Sequence, residues 1–347
     1  MALGTIDTNQ IASEAVTVPK VTDQVLTNRN LVKNGAMIVA QRATSSTGLG
    51  AANGYFTVDR MRMAIGDASA GRFTMAQTAV TDLSGFSKSV KISCTTADTS
   101  IAAGERLVLN YRFEGQDLQS LKSSSTTTKA FTISFYARAN AAFNLCSEWI
   151  FGNGTNRQAN QINALTTNWQ RFTMSIPAAT GTQIDDVNTH DTDLMFWMHA
   201  GSTYTTGSTS TTLRPNVTAN RAVGVSSIFA STSNFVEITG IQVEIGDVAT
   251  PFEHEDYGTT LHKCQRYFQE YISYKLYFNG TNEPSSEIGN SRLLPVVLRG
   301  LPVIGNKSST HGSAGAFSAN THSIRYLTVS SHGSGGFDVG FDLDAEL

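Results

Sequence analysis

Residues Phe235–Tyr271 read FVEITGIQVEIGDVATPFEHEDYGTTLHKCQRYFQEY, and this stretch decides the fold. Ile241, Val243 and Ile245 fall on one side of an alternating run, Gln242 and Glu244 on the other, as in a strand with one apolar face. Gly246-Asp247 ends the run. Pro251 then disfavours helix at the residue before it, so the next residues read as an extended crossing segment. Beyond Tyr257-Gly258 the period changes, with Leu261, Cys264, Phe268 and Ile272 at helical spacing. One domain is expected to close at 257 and another to open at 258.

The rest of the chain fits around this junction. Its 347 residues are enough for two or three modest domains, each with its own core. Charged residues make up only 15% while Gly, Ser and Thr are plentiful, which suits many strands joined by turns. A net charge of -3, with Lys and Arg scattered rather than striped, gives no electrostatic case for nucleic acid. Cys94, Cys146 and Cys264 are odd in number and far apart, and no Cys or His spacing suggests zinc; Cys94, in phase with Val90 and Ile92, reads as a small core hydrophobe. MALGTIDTNQ has no apolar signal core and no apolar run approaches membrane length, so cytoplasmic synthesis without membrane insertion is expected.

Three segments are expected: an arm at 1–29, a sandwich at 30–257 and a small β module at 258–347. In the arm, Ile6, Ile11, Val16, Val18, Val21 and Val25 are too sparse for a core, which predicts order only against a partner. In the sandwich, Leu107, Leu109, Tyr111 and Phe113 share a face; so do Phe131, Ile133 and Phe135. Phe172, Met174 and Ile176 oppose Trp169, Arg171 and Thr173, and Leu194, Phe196 and Met198 oppose Met195, Trp197 and His199. Short strands at this spacing, with no helical pattern between them, predict a β-sandwich. The stretches 43–53, 121–129 and 202–212 read as long loops. The last segment reads as a short helix followed by strands at 274–278, 294–298, 323–329 and 337–341. A core that small is expected to gain from packing against copies of itself.

The wording of several segments also resembles a known family. QVEIGDVATPFE followed by CQRYFQ is similar to the end of the carbohydrate-binding-module-like jelly roll found in bacteriophage tail-fibre and appendage proteins. In order along the chain, Asn30–Gly35 with Gln41-Arg42, Tyr55–Arg60, Thr132–Arg138, Asn168–Phe172, Leu294–Val303 and Asp344–Leu347 match pieces of the same family. The likeness spans roughly residue 30 to the end, and its specificity lies in the order of the pieces. It implies a jelly-roll topology, a virion protein assembled in the host cytoplasm, a homotrimer, and attachment of residues 1–29 to a phage tail or capsid protein. It also implies a possible structural calcium where the first and last strands meet, with Asn34, Asp59 and Asp247 as the oxygen donors; an Asn-Gly turn and a capping Asp explain the same residues.

The candidate site is the polar phase of the strands: Tyr136, Arg138, Trp169, Arg171, Trp197, His199, Gln242 and Glu244. Aromatic rings beside guanidinium, amide and carboxylate groups suit sugars, whose ring faces stack while their hydroxyls take directed hydrogen bonds. The alternative is a covered face, with Arg138 and Glu244 forming only a cross-strand ion pair. Catalysis is not expected. Asp185-Asp186, Asp191, Asp193 and Glu253–Asp256 show no pairing across a cleft, and no Gly-x-Ser-x-Gly elbow, phosphate loop or HExxH occurs. The leading expectation is a trimeric tail-fibre or appendage subunit that holds host-surface polysaccharide. The alternative is a purely structural connector on capsid or tail. A secreted bacterial sugar-binding module fits less well, for want of a signal peptide.

Overall fold

Alternation along the chain becomes two packed antiparallel sheets in the computed structural model, which describes residues 28–67, 69–152, 157–182, 184–278, 287–309, 316–329 and 335–347. Of the expected attachment arm only residues 28 and 29 are among them; the rest of that call lies outside the described residues.

The first half of the sandwich contributes β1 (Ser45–Leu49), β2 (Gly54–Tyr55), β3 (Arg62–Gly66), β4 (Arg72–Ala79), β5 (Lys88–Thr96), β6 (Arg106–Glu114), β7 (Lys122–Ser124) and β8 (Thr127–Thr128). The second half contributes β9 (Phe131–Ala139), β10 (Phe143–Phe151), β11 (Arg157–Leu165), β12 (Gln170–Ile176), β13 (Ala179–Thr180), β14 (His190–Ala200), β15 (Ser210–Pro215) and β16 (Phe235–Ile245). One sheet has six strands in the order β1-β4-β5-β16-β9-β12, and the other has seven in the order β15-β11-β10-β14-β6-β3-β2. The expected loops are partly ordered: 43–53 holds β1, 121–129 holds β7 and β8, and 202–212 holds a one-turn helix, α1 (Ser202–Thr205), and the start of β15.

The apolar phases meet between the sheets. Phe73, Phe131, Phe135, Ile133 and Val243 from one side close on Leu109, Phe113, Trp149, Leu194 and Phe196 from the other. Trp149 is central, with the rings of Phe131, Phe113 and Phe151 at 4.9, 5.2 and 5.7 Å. Burying one such aromatic stabilises the fold by about 2–3 kcal/mol, so no single side chain dominates.

β16 organises the six-stranded sheet. Its first half pairs with β5 and its whole length with β9, with a register shift between Thr239 and Gln242. Gly240 sits in that bulge at φ +61, and a Cβ there would lie 2.7 Å from the Phe86 ring, so only glycine fits. Where β5 leaves, the opening loop takes over: Leu31 N–H donates to the Val243 carbonyl (2.9 Å) and Asn30 Nδ2 to the Ile241 carbonyl (3.0 Å). Two of the quoted sequence pieces therefore lie side by side.

The helix after the crossing segment is shorter than its apolar spacing predicts. α2 (Tyr257–Gln265) starts at Asp256, whose carboxylate accepts from Thr259 N–H (3.0 Å), and stops before Phe268. Phe268 instead begins β17 (Phe268–Phe278), because pairing with a later strand outweighs a helical phase that is only weakly apolar. The remaining strands are β18 (Glu287–Leu293), β19 (Val303–Ser309), β20 (Ala316–Ala319), β21 (Ser323–Val329) and β22 (Gly335–Asp344). They form two sheets, β17-β22-β19 and β18-β21-β20. Residues 294–298 are not a strand: Pro295 has no N–H to give, and only single bonds from Leu294 and Leu298 reach His322 and Thr321. Among the described residues its core includes Leu298, Ile324, Phe341, Leu343 and Ala345.

This module is tied to the sandwich by charge. Arg60, 1% exposed, lies 3.5 Å over the Tyr267 ring and pairs with Glu346; Arg42 pairs with Asp344 at 3.0 Å; Arg266 pairs with Glu114 at 2.9 Å. The Arg112 guanidinium donates to the main-chain oxygen of Leu347 (2.8 Å).

Candidate functional site

The eight sequence candidates do not share a face. Six lie on the outer side of the six-stranded sheet and Trp197 on the outer side of the seven-stranded sheet, while His199, past a register shift in β14, falls opposite the core residue Leu107 with its ring 5.1 Å from that of Phe229. An expected single aromatic and polar platform is thus split by the thickness of the core.

The outer side of the six-stranded sheet is closed. Gln242 and Glu244, 0% and 2% exposed, hold the crossing segment down on the sheet. Thr250 N–H donates to Glu244 Oε1 (2.9 Å), and Glu253 N–H donates to Gln242 Oε1 (2.8 Å). Arg171 donates to the Thr250 carbonyl and to Ser134 Oγ. Tyr136 is half-buried against Phe86 at 5.1 Å, and Phe86 in turn meets Phe252 at 5.1 Å. Arg138 does not pair with Glu244, which lies opposite Thr132. Its partners are Glu237 (2.5 Å), its cross-strand neighbour, and Asp82 (2.6 Å). Trp169 carries the Arg138 guanidinium at 4.7 Å from its ring centre and donates to Asp82 (3.0 Å). The cavity left between the opening loop and the crossing segment is about 20 Å³, room for about one water. These side chains fasten the segment; they form no glycan groove.

The outer side of the seven-stranded sheet carries three cross-strand rows, covered over β10 and β11 by the segment that holds Tyr204, Arg221 and Ala222. One row runs Arg62–Asn110–Met195–Glu148–Asn160 across β3, β6, β14, β10 and β11. The next runs Ala64–Val108–Trp197–Cys146–Ile162, and a third begins with Arg112 and Asp193. Their members on β3, β6 and β14 floor a groove of about 220 Å³ whose walls include Asn53, Arg106 and Arg221. Sequence reasoning missed most of this lining, although the signal was there. Arg106, Val108, Asn110 and Arg112 are the alternate phase of a strand already read from Leu107, Leu109, Tyr111 and Phe113.

Trp197 is the floor of this groove, not a platform within it. It is 1% exposed, donates through Nε1 to Glu148 Oε2 (2.8 Å), and is covered by Tyr204 at 5.2 Å and Arg221 at 4.9 Å. Burial raises the Glu148 carboxyl above its usual range, against the pull of Arg221, which contacts it at 3.0 Å. His199 is fully buried. Its Nε2–H donates to Glu105 (3.1 Å), since a carboxylate can only accept, and Nδ1 receives the Ser227 hydroxyl (2.8 Å). Burial holds its pKa below the ordinary value, so the ring is neutral near pH 7.

The remaining polar groups of the groove are less fully paired. Asn110 Oδ1 and Arg112 Nε are buried without a hydrogen-bond partner, and Asp193 meets His190 Nε2 at 3.0 Å. Burial and the neighbouring Arg112 hold the Arg62 pKa below its ordinary value. Such groups can receive hydroxyls and anions, whose oxygens supply the missing partners.

Of the three calcium candidates, Asn34 and Asp59 meet in one hydrogen-bond network that spends their polar atoms on protein partners, and Asp247 contacts neither. Asn34 uses Oδ1 to accept from Val39 N–H (3.0 Å) and Nδ2 to reach the Val39 and Asp59 carbonyls. Both Asp59 carboxylate oxygens accept from Gln41, and burial pushes its pKa up to about 6. Asp247 is exposed and uses its main-chain oxygen on Ser175. These residues do not fit a shared cation, and no cluster of three His, Cys, Asp or Glu suited to a metal occurs among the described residues. No helix among them is long and apolar enough to cross a membrane.

No protein-family model and no curated protein matches the chain. Among solved structures it is similar to the enzymatically active domain of bacteriophage CBA120 tailspike protein 4, at TM-score 0.31 and 8% identity over 63% of this chain. That match spans only 22% of the tailspike chain. A CBM4 structure matches at TM-score 0.31 and 14% identity, over 61% of this chain and 98% of its own. TmCBM61 in complex with β-1,4-galactotriose matches at TM-score 0.30 and 8% identity, over 63% and 99%. At scores and identities this low, the likeness assigns neither ligand nor activity.

Proposed function

We propose that the chain is a non-catalytic virion appendage subunit that holds a host-surface polysaccharide in the groove of the seven-stranded sheet. One observation carries this reading: a 220 Å³ groove lined by side chains that alternate with the sandwich core and keep unpaired hydrogen-bonding atoms. The ordered set of sequence pieces supports the virion role. The one carboxylate of the groove lining, Asp193, contacts His190 at 3.0 Å and lies 3.7 Å from Arg112, and Glu148 beneath is paired with Arg221, an arrangement without two free carboxylates across a cleft. Residues 1–29 are the attachment to a tail or capsid protein, and the active form is a trimer. Leu293, Val297, Leu301 and Val303, all exposed, lie within eleven residues of the C-terminal module and would be covered by copies of the chain.

The test is a glycan array of the full chain beside Ala64→Trp, which fills the groove without touching a charge. Retention of a glycan by the parent and its loss in the folded variant supports the reading; an array blank for the parent overturns it, leaving a purely structural connector. Light scattering of the full chain tests assembly. A trimer that dissociates in Leu301→Glu is expected, and a monomeric parent contradicts it.

A further inference from the structure

The groove is built for charge rather than for stacking. Four guanidinium groups, Arg62, Arg106, Arg112 and Arg221, line it, while Asp193 is the sole acid in the lining, with Glu148 behind. This concentration stands out in a chain whose net charge is -3. Arg221 is spent on Glu148, and Arg106 donates to the Tyr204 hydroxyl (2.8 Å). Arg112 donates through Nη1 to the Leu347 main-chain oxygen (2.8 Å), while its Nε makes no hydrogen bond and lies 3.7 Å from Asp193. Arg62, directly across from Asn110 in the strand register, makes no hydrogen bond or ion pair among the described residues. Burial and the neighbouring Arg112 disfavour its charge more than Tyr55 and Asp193 favour it, so an added anion beside Arg62 would relieve that imbalance.

A neutral sugar polymer is best gripped by an aromatic ring lying under the pyranose face. Among the described residues that line the groove none offers an exposed ring. Trp197, the aromatic of the lining, is buried with Tyr204 and Arg221 over it. The same lack argues against single-stranded nucleic acid, whose bases need stacking platforms. What remains is a planar fork from Arg62 beside the Arg112 Nε–H, with the Asn110 amide between them on the central row. Guanidinium forks pair two-fold with carboxylates, and the amide oxygen can take a neighbouring hydroxyl.

We propose that this groove selects acidic saccharides, seating a sugar carboxylate between Arg62 and Arg112 while Asn110 accepts from an adjacent hydroxyl. The proposal rests on the saccharide-binding reading above and narrows it to one ligand class. Binding then weakens with added salt, because part of the attraction is between charges near the surface.

Calorimetric titration of the full chain with matched pairs tests it: tetragalacturonate against galactotetraose, and sialyllactose against lactose, with a single-stranded DNA oligonucleotide and inorganic phosphate as further anions. At least one acid is expected to bind about tenfold or more tighter than its neutral parent, to weaken in high salt, and to lose about tenfold or more in Arg62→Ala. Arg62→Lys should recover part of that loss. Circular dichroism should show both variants folded, since Arg62 holds nothing else in place. Neutral parents bound as tightly as their acids overturn the proposal while leaving saccharide binding intact. No saccharide bound at all overturns both. Oligonucleotide or phosphate bound more tightly than every uronate and sialoside overturns the carboxylate assignment.

Discussion

The two outer faces of the sandwich start from the same pattern and end in opposite states. On each, polar and aromatic residues alternate with the core. On the six-stranded sheet the chain turns back after Ile245 and lays 246–256 across the polar phase, so Gln242, Glu244 and Arg171 spend their hydrogen bonds on main-chain groups of Thr250 and Glu253. On the seven-stranded sheet the segment with Tyr204, Arg221 and Ala222 covers Trp197 and Cys146, and only the groove beside it, over Arg62, Asn110 and Arg112, is left uncovered. A polar strand face is therefore a site only where the chain leaves it uncovered. Charge and aromatic content do not tell the two apart.

The comparison can be broken most sharply at Glu244. Glu244→Ala leaves the Thr250 N–H and the Gln242 amide without their acceptor in a buried place, and is expected to cost about 2–3 kcal/mol in chemical denaturation. Glycan affinity of the folded fraction should not change. Equal loss of affinity and stability would mean that the covered face is the binding face. On the open face, Trp197→Phe removes the bond to Glu148 from under the groove. It should cost about 1–2 kcal/mol by the same measurement, with saccharide affinity changed less than in Arg62→Ala.

A third outcome concerns pH. The folded pKa of His199 lies below its value of 6.5 in the free state, so the unfolded chain binds the extra proton first. Its contribution is present above pH 6.5 and is lost as pH falls through 6.5 toward the folded pKa. Asp59, raised to about 6, acts with the opposite sign, gaining stability as pH falls through 6 toward its ordinary value of 3.8. The difference between parent and His199→Gln in thermal melts from pH 7.5 to 5.5 isolates the histidine: the parent should lose more than the variant. Parallel curves would mean that the ring is not held neutral. The smallest effect is expected at Trp169→Ala, whose contacts with Asp82 and Arg138 lie at the edge of the covered face. A change of under about 1 kcal/mol and no change in affinity fit this account; a lost glycan does not.

Much of the fold was legible in the sequence. Period-two runs such as Leu107–Phe113 and Leu194–Met198 identified strands and their core phases because a residue's side of a strand is fixed by parity alone. The end of the sandwich after Ile245 was legible from Gly246-Asp247 and Pro251 for the same local reason. Local patterns misled where long-range pairing decided: Phe268 and Ile272 have helical spacing, yet β17 pairs with β22 there.

The site divides along the same line. Sequence determined that Trp197, Gln242 and Glu244 leave the core, while a bulge after Trp197 turned His199 back toward Leu107 and Phe229. Only the tertiary structure decided that these belong to different sheets, that the crossing segment covers one set, and that Arg62, Arg106 and Arg112 converge on the other face. Parity is a property of neighbouring residues, whereas cover and convergence depend on segments such as Gln242 and Glu253, or Arg62 and Arg112, that meet only after the chain has folded.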